Sequence, residues 1–164
     1  MNARLQHIAT ALEARRWRLA TAESCTGGLI AATVTSMAGS SVWYDCGFVT
    51  YQSRSKVDLL GVQAETIARH TVVSEPVARE MSVGALLHSR ADVAVSVTCI
   101  AGPGGGDVAS PIGTAWLGWA IRDPEPVCVQ ASRFDFSGDR DAVRHAAVDA
   151  AIEGVARILF DLLE

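Results

Sequence analysis

Residues 18–37 read RLATAESCTGGLIAATVTSM, a segment that passes from a strand through a turn into a helix. Residues 18–22 are predicted to form a short strand, and the alanine-rich residues 29–37 a helix closed by Gly39. Residues 23–28 connect them in a turn with two consecutive glycines. A strand that leads directly into a helix is typical of α/β proteins.

The alternation of helices and strands continues on both sides of this segment. Before it, Leu5, Ile8, Ala9 and Leu12 recur at helical spacing. After it, the patterns predict strands at 46–51, 92–99, 113–121 and 127–136, and helices at 53–60, 63–70, 74–89 and 139–163. Ser74 is expected to cap the free amides of the helix that it precedes.

These elements predict a three-layer α/β/α sandwich. The strand at 92–99 is a β-branched run typical of a buried central strand, and residues 122–126 would join the last two strands as an antiparallel hairpin. The sheet is therefore expected to be mixed and mainly parallel, with the hairpin late in the chain. No linker or repeat divides the sequence, so we expect one domain over residues 1–164.

Composition and charge argue against several classes of function. The net charge of −4 disfavours duplex nucleic acid as a partner, because such binding needs clustered Lys and Arg. A small anionic ligand needs only one or two cations. With no signal-peptide core and no run of 18 apolar residues, the chain is expected to be cytoplasmic and to bind no membrane. The apolar content of 49% favours a homo-oligomer.

The four cysteines, Cys25, Cys46, Cys99 and Cys128, lie far apart and form no C-x-x-C pair. In a cytosolic chain this spacing predicts reduced and mostly buried thiols. The sequence also has no His-Glu-x-x-His or His-x-Glu motif. We therefore expect no metal site, and a zinc deaminase is disfavoured.

Three segments are predicted to meet beyond the carboxyl ends of the strands, where open α/β sheets bind ligands. They are residues 23–28, 51–56 and 98–106. Ser24 follows a strand and precedes a helix, so its hydroxyl would lie at a helix amino terminus. Free amides there can hold an oxyanion or a phosphate. Ser24 is thus either a nucleophile or simply a helix N-cap.

A serine nucleophile needs a base, and the four histidines lie in predicted helices or at their ends. Lys56 is the only lysine in the chain and follows a predicted strand. Its amine acts as a base only if burial or a nearby cation lowers its pKa from about 10.4. Tyr51 is a candidate to relay a proton or to orient the amine. The alternative is that Lys56 is an ordinary surface lysine.

The loop at residues 101–106 (AGPGGG) offers backbone amides that can approach a phosphate or a ribose closely, although such loops also serve as plain connectors. Arg140 and Arg144 lie four residues apart near the start of the last helix. Arg140 is equally suited to bind an anionic ligand or to pair with a surface acid. Arg144 is expected to pair with acids such as Asp141.

Together these segments resemble the CinA C-terminal family, also called the PncC-type nicotinamide-nucleotide amidases. The resemblance covers nearly the whole chain, in what would be the stand-alone form of the family. It is carried, in order, by residues 21–28 (TAESCTGG), 39–41 (GSS), 47–51 (GFVTY) with Lys56, 73–76 (VSEP), 100–103 (IAGP), 111–114 (PIGT) and 136–140 (FSGDR).

The resemblance implies hydrolysis of nicotinamide mononucleotide (NMN) to nicotinate mononucleotide and ammonia, with no metal or organic cofactor. It implies that Ser24 is the nucleophile, that Lys56 and Tyr51 assist it, and that the partner is a small-molecule nucleotide. Arg140 and the small residues of the glycine-containing segments would bind that nucleotide. The small residues are Thr26, Gly27, Gly28, Thr98, Gly102, Gly105 and Gly106.

Two positions depart from the usual loop of this family, Gly-Ile-Ala-Gly-Pro-Asp-Gly-Gly. Cys99 replaces the first glycine and Gly104 replaces the aspartate. Because Ser24, Tyr51 and Lys56 are present, the chemistry should be retained, and the changes bear on how substrate fits the loop. Two alternatives stay open: a non-catalytic module that senses a pyridine nucleotide, and a Ser-Lys amidase for another small amide. A purely structural domain is the least favoured.

Overall fold

The computed structural model describes residues 2–122 and 127–161. Its helices are α1 (Asn2–Arg15), α2 (Leu29–Thr35), α3 (Ser53–Leu60), α4 (Ala64–His70), α5 (Glu75–Leu87) and α6 (Arg140–Asp161). Its strands are β1 (Leu19–Glu23), β2 (Tyr44–Val49), β3 (Val93–Cys99), β4 (Thr114–Ile121) and β5 (Cys128–Asp135). The opening segment quoted above thus forms β1, a turn and α2, as predicted.

The five strands form one mixed sheet in the order β2-β1-β3-β4-β5. β1 pairs in parallel with β2 and β3, and its last residue, Glu23, lies opposite Val49 and Val97. β4 and β5 continue the sheet in antiparallel pairs. The carboxyl ends of β1, β2 and β3 therefore meet at one end of the sheet, and the segments that follow them are neighbours in space.

Helices cover both faces of this sheet, which confirms the three-layer sandwich. α1, α2 and α6 bury residues such as Leu12, Ile30 and Val155 against one face. α3, α4 and α5 cover the other face, where Leu60 and Met81 are buried. The central strand β3 is buried from Val93 to Thr98, as its run of β-branched residues predicted.

Close packing of α3 on α5 fixes the helix that carries Lys56. At Gly84, in α5, a Cβ atom would collide with the backbone carbonyl of Leu60, the last residue of α3. Glycine therefore permits a backbone-to-backbone approach that any larger residue would prevent.

Several predicted details differ from the structure. β2 begins and ends two residues before the predicted strand 46–51, since Tyr44 already pairs with Leu19 of β1. The predicted cap at Ser74 is wrong, because its hydroxyl donates to the Thr71 carbonyl, 2.9 Å away, and makes no bond to an α5 amide. The antiparallel pairing of β4 with β5 is confirmed, whereas the connection at 123–126 and the predicted helix end at 162–163 lie outside the described residues.

Within the described residues, no helix combines the length and the apolar character that a membrane-spanning segment requires.

Candidate active site

A cavity of about 340 Å³ lies at the end of the sheet where the three parallel strands finish. Ser24 and Cys25 enter it after β1, residues 51–53 after β2, and residues 98–102 at the end of β3. Val72 and Val73, before α5, and Arg140, at the start of α6, complete the wall. The three segments expected to converge do so, and α6 adds a charged side chain.

Ser24, on the wall of this cavity, contacts the buried Lys56 behind it. The Lys56 Nζ lies 2.9 Å from the Ser24 Oγ, 2.6 Å from the Thr50 carbonyl oxygen and 3.4 Å from the Tyr51 carbonyl oxygen. The Lys56 side chain is completely buried, although it lies in the first turns of a helix where a surface lysine is the common case. Burial penalises the ammonium and lowers the pKa of Lys56 to about 8.

These three oxygens satisfy the amine in both of its protonation states. As an ammonium, Lys56 donates one proton to each oxygen. As a neutral amine, it donates two protons to the carbonyls of Thr50 and Tyr51, and its lone pair faces the Ser24 hydroxyl, which then donates. A proton can therefore pass between the Ser24 Oγ and the Lys56 Nζ without movement of either heavy atom.

Glu23, which the sequence analysis did not single out, occupies the amino terminus of α2. Its fully buried carboxylate accepts hydrogen bonds from the backbone amides of Gly28, Ile30 and Ala31, at 3.0, 3.0 and 2.9 Å, and from the Thr26 hydroxyl at 2.6 Å. The expectation that these helix amides are free to hold an oxyanion or a phosphate is therefore wrong. A carboxylate from the chain itself already satisfies them.

The amides that directly follow Ser24 are better placed. Ser24 donates its own amide to the Val97 carbonyl, and Gly27 donates back to the Ser24 carbonyl. Within the described residues, the N–H groups of Cys25 and Thr26 make no hydrogen bond. Of the two residues only Cys25 lines the cavity, so its N–H is the backbone donor available next to Ser24.

Arg144 holds the other side of these peptides. Its Nε and Nη2 each donate over 3.1 Å, to the carbonyls of Cys25 and Thr26, and its Nη1 pairs with Asp141 at 3.2 Å. The structural role expected for Arg144 is confirmed. The guanidinium fixes these carbonyls, and with them the peptide planes that carry the N–H groups of Thr26 and Gly27, whereas the Gly27 amide holds the Ser24 carbonyl in the peptide of the Cys25 N–H.

Tyr51 and Arg140 lie together at the mouth of the cavity. The Arg140 Nη2 donates to the Tyr51 hydroxyl over 2.8 Å, and its Nη1 donates to the Gly102 carbonyl over 2.7 Å. The Tyr51 ring is 54% exposed, and its hydroxyl forms no hydrogen bond with Ser24 or Lys56 in the described structure. Tyr51 thus touches the amine through its backbone carbonyl, whereas its phenol group faces the arginine.

The glycine loop contributes only part of what its composition suggested. Gly102, Gly104 and Gly105 line the cavity, whereas Gly106 packs tightly against residues 111–112 of its own loop. Thr98 lies on the wall but is almost fully buried, and its hydroxyl donates to the Val72 carbonyl over 2.9 Å. Thr26, Gly27 and Gly28 lie outside the cavity wall, so the structure does not bring them together with the loop.

A disulfide joins Cys25 to Cys99 in this wall, across 74 residues of sequence. The prediction that all four thiols are reduced is wrong for this pair. Cys46 and Cys128 are free, but Cys46 is half-buried and Cys128 is exposed, so the expectation that the thiols are mostly buried is wrong as well. No cluster of three or more His, Cys, Asp or Glu side chains suited to a metal occurs in the described part of the chain.

Known proteins are similar to this chain in both sequence and fold. The model of the CinA C-terminal domain matches residues 2–159. The nicotinamide-nucleotide amidohydrolase PncC of Escherichia coli K12 is 48% identical over 148 residues, which cover 90% of this chain and 88% of the E. coli protein.

Two crystal structures superpose closely on this chain. A competence-damaged protein (CinA) superfamily member from Klebsiella pneumoniae is 40% identical, with a TM-score of 0.89 over 97% of both chains. The competence/damage inducible protein CihA from Agrobacterium tumefaciens is also 40% identical, with a TM-score of 0.90 over 99% of this chain and 94% of that one.

Proposed function

Since this chain belongs to the CinA C-terminal domain family, we propose that it is an amidohydrolase that converts NMN to nicotinate mononucleotide and ammonia. The observation that carries the proposal is the contact of 2.9 Å between the Ser24 hydroxyl and the buried Lys56 amine. The substrate is inferred from the name of the 48% identical E. coli protein, nicotinamide-nucleotide amidohydrolase PncC.

Acylation begins when Ser24 Oγ attacks the carboxamide carbon of the nicotinamide ring. Neutral Lys56 takes the hydroxyl proton along the existing hydrogen bond. The carbonyl oxygen becomes an oxyanion, which the free N–H group of Cys25, a residue of the cavity wall, stabilises. Lys56, now an ammonium, returns the proton to the amide nitrogen, and the carbon–nitrogen bond breaks to release ammonia.

Deacylation repeats the sequence with water in the place of the serine. Lys56 is again neutral once it has given its proton to the leaving ammonia, so it can deprotonate a water that attacks the acyl carbon. The second tetrahedral intermediate collapses to nicotinate mononucleotide, and the proton held by Lys56 returns to Ser24 Oγ. Each half-reaction therefore uses one lysine as base and then as acid.

Arg140 is suited to the phosphate of the nucleotide at the mouth of the cavity. Its guanidinium has five N–H donors, of which the bonds to Tyr51 and Gly102 use two. The remaining donors can form charge-assisted bonds to a phosphate. A volume of about 340 Å³ lies at the lower end of the range of roughly 300–1,000 Å³ for small-molecule sites, which suits a mononucleotide.

The test is ammonia release from NMN by the wild type, by Ser24→Ala, and by Ser36→Ala as a matched serine control. Ser36 is exposed, and its hydroxyl bonds only to the Thr33 carbonyl. We expect release by the wild type and by Ser36→Ala, with none by Ser24→Ala although the nucleotide still binds. Release by Ser24→Ala would refute the nucleophile.

The same assay separates the alternatives. Nucleotide binding by the wild type without ammonia release would identify a sensing module. Release from another small amide but not from NMN would keep the Ser–Lys chemistry and change the substrate.

A further inference from the structure

The disulfide between Cys25 and Cys99 connects two walls of the candidate active site. Cys25 directly follows the proposed nucleophile, and its N–H is one of the two free donors beside it. Cys99 is the last residue of β3, where the glycine loop at residues 100–113 begins. Both cysteines line the cavity that contains Ser24.

Hydrogen bonds tie each wall to other parts of the fold rather than to each other. The turn at residues 24–28 is held by Val97 and Arg144. The loop bonds to Thr114, at the start of β4, and to Arg140 of α6. In the described part of the chain, no hydrogen bond joins residues 24–28 to residues 100–113. The disulfide is thus the direct connection between the turn at residues 24–28 and the end of β3, where the loop begins.

We propose that the Cys25–Cys99 pair is a thiol–disulfide exchange site through which a low-molecular-weight thiol sets the affinity of the cavity for its nucleotide. This inference rests on the proposed function. A thiolate attacks the Sγ of Cys99, which is partly exposed, whereas Cys25 is only 6% exposed. The protein S–S bond breaks, Cys25 leaves as a thiolate and takes a proton, and a mixed disulfide forms on Cys99.

A second thiol completes the exchange. It attacks the mixed disulfide, Cys99 leaves and is protonated, and the two reductant sulfurs end joined as a disulfide. The protein has then gained two electrons and two protons. A disulfide of a small thiol reverses both steps.

Reduction acts mainly on the wall that the loop forms. The Ser24–Lys56 contact is held from β3, Thr50 and Tyr51, so it survives when the sulfurs separate. Hydrogen bonds still hold the loop at Ile100 and Gly102, but without the tie at Cys99 we expect residues 103–105 to be ordered only by the incoming nucleotide. Ordering a mobile segment on binding costs affinity, and we expect KM for NMN to rise about three- to tenfold with kcat changed less than about twofold.

The cavity is also the route by which a thiol reaches Cys99. A bound nucleotide should therefore slow reduction, and this readout does not depend on turnover.

The experiment uses Cys46→Ser/Cys128→Ser, which removes the two free thiols and leaves the disulfide. The folded double variant should show no free thiols before treatment with dithiothreitol and two after it. These thiols should appear more slowly when NMN is present. KM should rise on reduction and return when oxidised glutathione restores the disulfide. In the wild type, the number of free thiols should rise from two to four on reduction. With Cys99→Ala added, KM should stay at the higher value of the reduced enzyme, with or without a reductant.

Each contrary result has a distinct meaning. Ammonia release with an identical KM before and after two thiols appear would overturn the exchange proposal alone. The absence of new thiols in the native protein would overturn it too. No ammonia release from NMN in either redox state would instead overturn the proposed function on which it rests.

Discussion

Raising the pH is expected to activate the enzyme by converting Lys56 from an ammonium to a free amine. Burial lowers the pKa of Lys56 from 10.5 to about 8. At pH 7 a pKa of 8 leaves roughly 9% of the amine neutral, against roughly 0.03% at a pKa of 10.5. The fold thus raises the concentration of the competent base roughly 300-fold. Between pH 7 and 9, kcat should rise about tenfold and then level off.

The assay is kcat for ammonia release at saturating NMN, from about pH 6.5 to about pH 10. Saturation matters because the phosphate of the free nucleotide titrates near pH 6 and would otherwise enter the profile. Lys56→Arg is the control: it retains a positive charge but cannot lose a proton near neutral pH, so it should be inactive at every pH. A midpoint near 10.5, or a rate that does not change with pH, would refute the role of Lys56 as a base that burial has tuned.

The free energy of unfolding offers a second readout that does not depend on turnover. Below about pH 8 the amine is protonated in both the folded and the unfolded chain, so the full cost of burying the charge is present. Between about pH 8 and 10.5 the folded state holds fewer protons than the unfolded state, and stability rises with pH. Across this window, the free energy of unfolding of the wild type should rise by about 3 kcal/mol relative to that of Lys56→Met. The same pH dependence of the free energy of unfolding in both proteins would contradict the burial of the Lys56 amine.

Two further substitutions test the groups around Ser24 and Lys56. Glu23→Gln should lower the free energy of unfolding by about 3 kcal/mol in denaturant titrations, because an NH2 group must replace one of the two acceptor oxygens and then faces either the Ala31 amide or those of Gly28 and Ile30. A loss below about 1 kcal/mol would contradict this account. Arg140→Gln should raise KM for NMN by about ten- to a hundredfold with a smaller effect on kcat, since it removes a charge-assisted phosphate contact. Arg133→Gln, which breaks an exposed ion pair with Asp135, is the matched control. An equal KM in both variants would contradict the proposal that Arg140 binds the phosphate.

The sequence predicted the fold and the placement of Ser24 and Lys56 because both depend on local patterns. The strand–turn–helix at residues 18–37 sets the direction of β1, and parallel strands bring their carboxyl ends together. Lys56 was identifiable as the only lysine in the chain, located after a strand. Its burial was not predictable from its neighbours, since it follows from the packing of α3 on α5.

The disulfide escaped prediction because it depends on strand order. Glu23 and Val97 lie opposite each other in the parallel pair of β1 with β3, so the residues two positions further on, Cys25 and Cys99, are neighbours too. Without the knowledge that β1 adjoins β3, nothing in a spacing of 74 residues indicates contact. Given that order, the register alone would have suggested the pair.

Glu23 escaped prediction for a different reason, and its position determines the electrostatics of the site. A turn before a helix predicts free amides, yet the carboxylate of Glu23 folds back and accepts their hydrogen bonds. The positive end of α2 is therefore neutralised within the chain, and the pKa of Lys56 falls through burial alone.

In the proposed mechanism, stabilisation of the oxyanion is consequently left to the N–H group of Cys25, in the turn whose Cys25 and Thr26 carbonyls accept from Arg144. The Cys25 sulfur, on the same residue, can be altered reversibly. Because the disulfide crosslinks this turn to the opposite wall, we expect substrate affinity to depend on that single S–S bond.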